Sequence, residues 1–245
     1  MYQPFPSNWP DYTPRDRVAD WLEAYATNQY LVCWTQSALA EPPQYDAATH
    51  TWAVTVSRAG TPVRLRPTHI VLATGTLGAP KTPSLPHHTE FRGSVLHATQ
   101  YNRPAPFAGQ HVAVVGAGNS SIDICSDLAT GGAASVTMVQ RSATCVVARE
   151  SVLGDMRRSW APGVPVEVGD LKFSSVPLGF VKEMNQKMPE VMWAREHELH
   201  EKLRKGGLKL TLGPENEGHF ILLHERNGGT CLCFLDLSRA YLLNI

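Results

Sequence analysis

The chain has 245 residues, enough for one large or two small domains with a sizeable core. Its 22 basic and 22 acidic side chains balance, so the charge gives no indication of a nucleic-acid partner. The sequence has neither a long apolar run typical of a transmembrane helix nor a signal-peptide pattern at its start, and we expect a cytoplasmic protein.

Cysteine usage also favours a reducing compartment. The cysteines are scattered and odd in number, and no two have CxxC spacing: Cys33, Cys125, Cys145, Cys231 and Cys233. The Cys231-x-Cys233 pair lacks partner ligands at zinc spacing, so we interpret these thiols as incidental and predict no metal site.

The first predicted element is a helix near the N-terminus. Thr13 is expected to cap it, Pro14 to take the first helical position and Asp16 to lie in the first turn. Four apolar residues recur at helical spacing and predict a buried face: Val18, Trp21, Leu22 and Tyr25.

Several strands are predicted next. Tyr30–Thr35 is one of them, and Trp52–Arg58 alternates apolar and polar residues as a half-buried strand does. The Ala59-Gly60 turn should pair it with Pro62–Arg66 as an antiparallel hairpin.

A further apolar run, His69–Ala73, predicts a buried strand that ends in Thr74-Gly75. The proline-rich segment Pro80–Pro86 follows it and predicts a crossover to a second domain.

The most informative stretch begins at Val112–Val115, a short apolar run rich in β-branched residues. Such a run is typical of a parallel strand that is buried on both faces. It leads into Gly116-Ala117-Gly118-Asn119-Ser120-Ser121, a GxGxxS version of the dinucleotide-binding fingerprint. A helix over Ser120–Ala129 and a second strand over Ser135–Gln140 are predicted next. One face of this helix collects Ile122, Cys125, Leu128 and Ala129.

Each residue of the glycine turn has an expected task. Gly116 permits the tight turn, Gly118 lets the backbone approach a pyrophosphate, and Ser121 is small enough for close helix–strand packing. The N–H groups and positive dipole end of the helix would bind the phosphates. The alternative to dinucleotide binding is an ordinary glycine turn in an α/β domain.

The end of the second strand indicates which dinucleotide is bound. An NAD site has Asp or Glu there, about 20 residues after the glycines, to hold the ribose 2′-hydroxyl. This chain has Gln140 and then Arg141, whose guanidinium can bind a 2′-phosphate. We therefore predict NADPH rather than NADH, and an ordinary turn would not explain Arg141.

The C-terminal part carries weaker signals. Val152–Val181 is predicted to be irregular, and Arg149-Glu150 is either a second phosphate contact or a surface ion pair. Pro189–Lys205 is predicted to be one helix, with a core-facing stripe of Met192, Leu199 and Leu203. His197 and His200 lie near Glu196 and Glu201, but the spacing is not HExxH, and we favour a solvated helix face over a metal site.

Two motifs resemble those of class B flavin-dependent monooxygenases, the flavin-containing and N-hydroxylating enzymes. The segments at residues 5–26 and 136–142 resemble the fungal branch of that family. Phe91-x-Gly93-xxx-His97-xxx-Tyr101 resembles the FxGxxxHxxx(Tyr/Phe) motif of that family and lies just before the glycine turn, as it does there. Ala73-Thr74-Gly75 resembles the ATG motif, where a strand end approaches FAD. The resemblance covers about residues 2–229.

This resemblance implies an α/β fold with a Rossmann-like NADP-binding domain inserted in a Rossmann-like FAD-binding domain, beside a small antiparallel β unit. It implies that NADPH reduces FAD and that O2 then forms a C4a-hydroperoxyflavin. This species oxygenates a small nucleophilic N- or S-containing or carbonyl substrate. Residues matched to NADP are Gly116, Gly118, Asn119, Ser120, Ser121 and Arg141, and those near FAD are Thr74 and Gly75. The linker motif lies between the domains, with His97 in an orienting hydrogen bond, and no catalytic side chain is assigned.

The chain departs from the family pattern in two places. It has no second GxGxxG for FAD, and its tail after residue 229 is atypical. We therefore expect a truncated member with impaired turnover. Its parts would be a partial FAD-binding domain with the linker motif (1–107), the NADP-binding domain (108–213) and a return to the FAD domain (214–245). The alternatives are a non-catalytic NADP-binding remnant, or a flavin-dependent pyridine-nucleotide reductase, which would need a redox CxxC.

Overall fold

The computed structural model describes residues 4–75, 78–226, 230–233 and 241–244. The chain forms two compact units, residues 1–79 and 80–245, and the division falls where the proline-rich segment begins. The linker motif therefore lies in the second unit. The expected division into three domains, with the linker motif grouped in the first, stays a prediction.

The first unit combines one helix with a small antiparallel sheet. Its elements are α1 (Arg15–Asn28), β1 (Ser37–Leu39), β2 (Gln44–Asp46), β3 (Thr51–Arg58) and β4 (Thr61–Leu65). Strand β3 pairs with the three other strands, and Val54 at its centre is buried. The predicted hairpin is confirmed: Ala59 and Gly60 both have positive φ, 46° and 83°, which suits the twist of a two-residue hairpin turn.

Two strand predictions in this unit are wrong. Tyr30 is 93% exposed, and strand pairing begins only at Ser37. The run His69–Ala73 forms no strand, and Val71 and Leu72 are 86% and 76% exposed. No strand within residues 4–75 pairs with this run, and an apolar sequence without a partner strand has no ladder to join.

The predicted cap of α1 is also wrong. Helix α1 begins at Arg15 with Pro14 as its N-cap, and the Thr13 hydroxyl donates instead to the carbonyl of Pro10 (3.0 Å). The predicted apolar face is only half-buried, because no residue of α1 is buried and Leu22 is 54% exposed. Trp21 packs against the rings of Phe5 and Tyr25.

The second unit is α/β, as predicted. Its helices are α2 (Asn119–Thr130), α3 (Arg149–Ser159), α4 (Val166–Ser174), α5 (Leu178–Lys187), α6 (Pro189–Arg195), α7 (His197–Lys205) and α8 (Gly218–Arg226). Its strands are β5 (His111–Val115), β6 (Ser135–Gln140), β7 (Cys145–Ala148), β8 (Thr230–Cys233) and β9 (Tyr241–Asn244). Parallel strands form a β5–β6–β9 sheet and a β7–β8 pair. None of the helices in the described part of the chain is long and apolar enough to cross a bilayer.

Helix α2 packs on this sheet through the predicted face. Ile122, Cys125 and Leu128 are at most 1% exposed and form one core with Val136 and Met138 of β6. Ala129 packs at the edge of this core, so the predicted face of α2 is confirmed. The chain therefore builds a parallel strand–helix–strand unit whose hydrophobic core joins α2 to β6.

Three predictions for this unit need correction. Strand β5 is not buried on both faces, because its residues alternate between exposed and partly buried and Val115 is 57% exposed. The supposedly irregular segment Val152–Val181 contains most of α3, all of α4 and the start of α5. The single helix predicted over Pro189–Lys205 is interrupted at Glu196, whose buried carboxylate turns to accept a hydrogen bond from the Ala148 N–H (3.0 Å).

Candidate nucleotide-binding site

The glycine turn between β5 and α2 is tight. Gly116 has φ of 124°, a backbone conformation that favours glycine, and its N–H donates to the carbonyl of Val139 (2.9 Å). A Cβ atom at Gly116 would lie 3.0 Å from Ser121 Oγ. Ser121 therefore stands where the predicted close approach of helix and turn occurs.

Gly118 lies at the start of α2 beside open space. It is the N-cap of α2 and has no side chain to cap the helix, and a Cβ built there meets nothing within 4 Å. The next two residues, Asn119 and Ser120, are exposed. A helix N-terminus without a capping side chain, beside open space, is suited to bind an anion through backbone N–H groups.

The turn rests on a rigid base. The core residues of α2 anchor the helix one turn below the glycines. Burial raises the pKa of the Cys125 thiol to about 12, so this thiol stays neutral and acts as an apolar packing residue.

A hydrogen-bond chain that was not predicted from the sequence joins the turn to the end of β6. Gln140 is 2% exposed, and its amide bonds both the N–H and the carbonyl of Lys209. It also donates to the hydroxyl of Thr144, which in turn donates to the carbonyl of Ala117. The sequence alone indicates only that Gln140 is not an acidic residue, because no local pattern reveals that its amide is buried.

Arg141 lies next to this buried residue and is exposed. It forms no hydrogen bond or ion pair with the residues that the structure describes. Its side chain is therefore available to an anionic ligand, and its role in binding NADP stays a prediction.

Arg149 begins α3, directly after β7, and its charge acts on Asp123 of α2. Burial raises the pKa of the Asp123 carboxyl, and the Arg149 charge opposes this shift. Arg149 thus has an acidic neighbour on the nucleotide-site helix. The alternative role predicted for Arg149-Glu150, a second phosphate contact, stays a prediction.

The linker motif forms a compact turn. A Cβ at Gly93 would lie 2.6 Å from the ring of Phe91, so only glycine fits there without movement. His97 Nδ1 accepts a hydrogen bond from the Thr99 N–H (3.2 Å), and the Gln100 side chain accepts one from the His97 N–H (2.9 Å). His97 thus orients the start of a short 3₁₀ turn over Ala98–Gln100.

The end of this motif is fixed to α2. The Tyr101 hydroxyl donates to Asp127 Oδ2 (2.7 Å), and its ring stacks on Phe107. Burial, together with this bond and the carboxylate charge, raises the pKa of Tyr101 well above its usual range. The motif therefore attaches near the C-terminal end of the helix whose N-terminus follows the glycine turn.

The residues matched to FAD lie in the first unit. Thr74 and Gly75 are exposed in a segment without regular secondary structure, and Gly75 has φ of 74°. Within residues 4–75, no glycine turn leads from a strand into a helix. Residues 4–75 by themselves therefore do not form a binding site for the FAD pyrophosphate.

The prediction of a solvated face for the histidine-rich helix is wrong in part. No group of three metal-ligating side chains occurs among the described residues. His200 is 2% exposed and its Nε2 bonds the carbonyl of Val146 (2.8 Å), and Glu196 is also buried. Both side chains therefore anchor α7 to β7 instead of facing solvent, whereas His197 is exposed.

The parallel strand–turn–helix–strand arrangement places the second unit in the class of Rossmann-like α/β folds. The flavin-binding monooxygenase-like family matches residues 2–190. The chain therefore belongs to this flavin-binding monooxygenase-like family.

Similar proteins agree with this membership. The probable indole-3-pyruvate monooxygenase YUCCA9 of Arabidopsis thaliana is 30% identical over 195 residues, 77% of this chain and 46% of that protein. Human flavin-containing monooxygenase 3 is 27% identical over 74% of this chain and 36% of its own length. A flavin-containing monooxygenase from Stenotrophomonas maltophilia superposes with a TM-score of 0.50 at 26% identity, over 62% of this chain and 45% of that chain. The chain thus spans about half the length of its relatives, or less.

Proposed function

We propose that this chain functions in NADPH- and FAD-dependent monooxygenation of a small nucleophilic N- or S-containing or carbonyl substrate. Family membership supports the reaction class. The observation that carries the proposal is the open, uncapped turn at Gly118, followed at the end of the next strand by exposed Arg141.

The turn and Arg141 have the chemistry that NADPH requires. Gly116 and Gly118 allow the backbone to approach a pyrophosphate, and the N–H groups of Asn119–Ser121 at the start of α2 are the donors for it. Arg141 would hold the 2′-phosphate through charge-assisted hydrogen bonds. When bound, NADPH supplies the hydride that reduces the flavin.

The part concerning FAD rests on family membership. Thr74 and Gly75 are proposed to lie near the flavin, and the linker motif, through Tyr101 and Asp127, to couple domain movement to retention of the nicotinamide. YUCCA9 is described as acting on indole-3-pyruvate, so a carbonyl acid joins amines, sulfides and ketones as a candidate substrate class. We place the protein in the cytoplasm, in keeping with its buried free thiols Cys125 and Cys145.

A non-catalytic NADP-binding role is the second candidate, favoured by the unpaired, exposed segment at residues 69–75. The two candidates differ in flavin content. A monooxygenase should purify with FAD and oxidise NADPH when an amine or thioether substrate is added, whereas a nucleotide-binding remnant should be colourless and still bind NADPH. A disulfide reductase is disfavoured, since the sequence has no CxxC.

Titration of NADPH and NADH into the purified chain tests the nucleotide assignment. In the Arg141→Ala variant, NADPH binding should weaken by about tenfold or more, because a hydrogen bond to a charged group contributes about 1.5–3 kcal/mol. NADH binding should stay nearly unchanged, since it lacks the 2′-phosphate. The Arg64→Ala variant, which removes an exposed arginine of β4, is the control and should bind both as the wild type does.

Equal losses for the two nucleotides would show that Arg141 has a structural role instead. A wild-type chain that binds neither nucleotide would contradict the proposed function as a whole.

A further inference from the structure

The buried hydrogen-bond chain beside the glycine turn has a role that the dinucleotide fingerprint does not describe. Gln140 Nε2 donates to Thr144 Oγ1 (3.2 Å), and Thr144 Oγ1 donates to the carbonyl of Ala117 (3.1 Å). Gln140 and Thr144 are 2% and 4% exposed. Water therefore has little access to these groups, and their hydrogen bonds must be satisfied within the protein.

The donor and acceptor in each of these buried hydrogen bonds are determined by the contacts of Gln140. Gln140 Oε1 accepts from the Lys209 N–H (2.8 Å) and Nε2 donates to the Lys209 carbonyl (3.0 Å), so the orientation of the amide is determined. Thr144 Oγ1 thus receives a hydrogen bond from an amide donor. A hydroxyl has a single proton, and that of Thr144 is therefore directed to Ala117.

The backbone of Thr144 is held as firmly as its side chain. Its N–H donates to the carbonyl of Lys209 (3.0 Å), and its carbonyl accepts from the Thr211 N–H (3.1 Å). The hydroxyl is consequently presented to the turn from a fixed position. At the other side of the turn, the Gly116 N–H is bonded to the carbonyl of Val139 (2.9 Å), so the turn is held on both sides of Ala117.

Fixing the carbonyl of Ala117 also fixes the N–H of Gly118. Both groups belong to one planar peptide, which is trans because the chain has no cis peptide bond in its described part. The two groups of a trans peptide point in opposite directions, so the Gly118 N–H points away from Thr144. Gly118 is the residue beside which the structure leaves open space.

We propose that Thr144 is a positioning residue of the nucleotide site: its hydroxyl fixes the Ala117–Gly118 peptide so that the Gly118 N–H is presented to the pyrophosphate. This inference rests on the proposed binding of NADPH. The pyrophosphate is common to both dinucleotides, so Thr144 acts on NADPH and NADH equally, whereas Arg141 acts on NADPH alone.

The test compares Thr144→Val, which replaces the hydroxyl by a methyl group, with Thr144→Ser, which keeps it. NADPH and NADH are titrated separately into each full-length variant. Thr144→Val should weaken both by about fivefold, the effect of one net hydrogen bond, and Thr144→Ser should restore most of the loss. Thr144→Ala removes the same hydroxyl in a smaller side chain and replaces the valine variant if that one does not fold.

Thr230→Val is the matched control. Thr230 is 4% exposed, and its hydroxyl donates to the carbonyl of Cys145 (3.0 Å) and not to the glycine turn. This variant should lower the melting temperature as Thr144→Val does but leave the affinity for both nucleotides unchanged.

Three results would overturn the inference. They are wild-type affinity in Thr144→Val, a loss confined to NADPH, or an equal loss of affinity in Thr230→Val. A wild-type chain that binds no nucleotide would overturn the proposed function and this role together, whereas an unaffected Thr144→Val variant beside a binding wild type overturns the role alone.

Discussion

Two apolar runs of similar composition have different fates in this molecule. Val112–Val115 lies in a strand that pairs in parallel with β6 along its whole length. The run 69–73 has no regular secondary structure, is unpaired within residues 4–75 and is largely exposed, with Val71 at 86%. The difference shows that a strand requires a partner strand as much as a suitable sequence.

The same contrast extends to function. In the second unit, a strand end, a glycine turn and a helix N-terminus are held together by a core and by buried hydrogen bonds. In the first unit, Thr74 and Gly75 follow the unpaired run, and no comparable framework holds them among residues 4–75. The proposed nucleotide site of the second unit thus lies on a framework that its own fold holds in place.

The largest expected effect tests the glycine turn directly. Gly118→Val should abolish detectable NADPH binding while the melting temperature stays near that of the wild type. A Cβ at Gly118 meets no protein atom within 4 Å, so the valine side chain begins in the open space proposed for the pyrophosphate. Gly116→Val is the contrasting variant and should also destabilise the fold, because φ there is 124° and Ser121 Oγ is close.

Nucleotide titration and thermal unfolding of both variants decide this point. Normal NADPH binding by Gly118→Val would contradict the assignment of the site.

The second prediction compares the core beneath the glycine turn with the run at residues 69–73 by the effect of a substitution on the free energy of unfolding. Ile122→Ala removes a side chain that is 1% exposed in the core beneath the turn, and it should lower the free energy of unfolding by about 3 kcal/mol. Val71→Ala alters the exposed run at residues 69–73 and should change the free energy of unfolding by less than about 0.5 kcal/mol. Urea unfolding followed by circular dichroism measures both, and similar losses would show that the run at 69–73 packs in solution.

The smallest effect concerns histidines. His219 lies in α8 with its Nδ1 hydrogen-bonded to the hydroxyl of Thr230. Burial first, and the charge of His224 second, lower the pKa of His219 below the ordinary histidine value of 6.5. The folded state therefore favours the neutral ring, and its full contribution to stability is present above that value. This contribution decreases as the pH falls through the unfolded pKa toward the folded one.

Urea unfolding at pH 7.5 and at pH 5.5 measures this dependence. The His219→Gln variant should lose part of the decrease seen in the wild type, while His69→Gln, at an exposed site in the first unit, should keep all of it. An unchanged pH dependence in His219→Gln would show that folding does not shift the pKa of His219.

Sequence reasoning succeeded where the relevant interactions are local. The hairpin at Ala59-Gly60 needs two residues with positive φ, and the apolar face of α2 follows from helical spacing alone. It failed for the cap of α1, where Thr13 bonds Pro10 instead, and for the single helix at 189–205, which is interrupted at Glu196. In the second case, Glu196 accepts a hydrogen bond from the Ala148 N–H. Ala148 is 48 residues away in the sequence, so no local pattern predicts this contact.

The sequence by itself determined the family, the α/β class of the second unit and the glycine turn with Arg141 after the following strand. Those features depend on residue type and short spacing. Only the tertiary structure decided that Gln140 and Thr144 form a buried link to Ala117, that His200 and Glu196 anchor α7 to β7, and that the run at 69–73 stays unpaired. Burial and pairing depend on residues far away in the sequence, so the same side chain is a solvated polar group in one environment and a structural link in another.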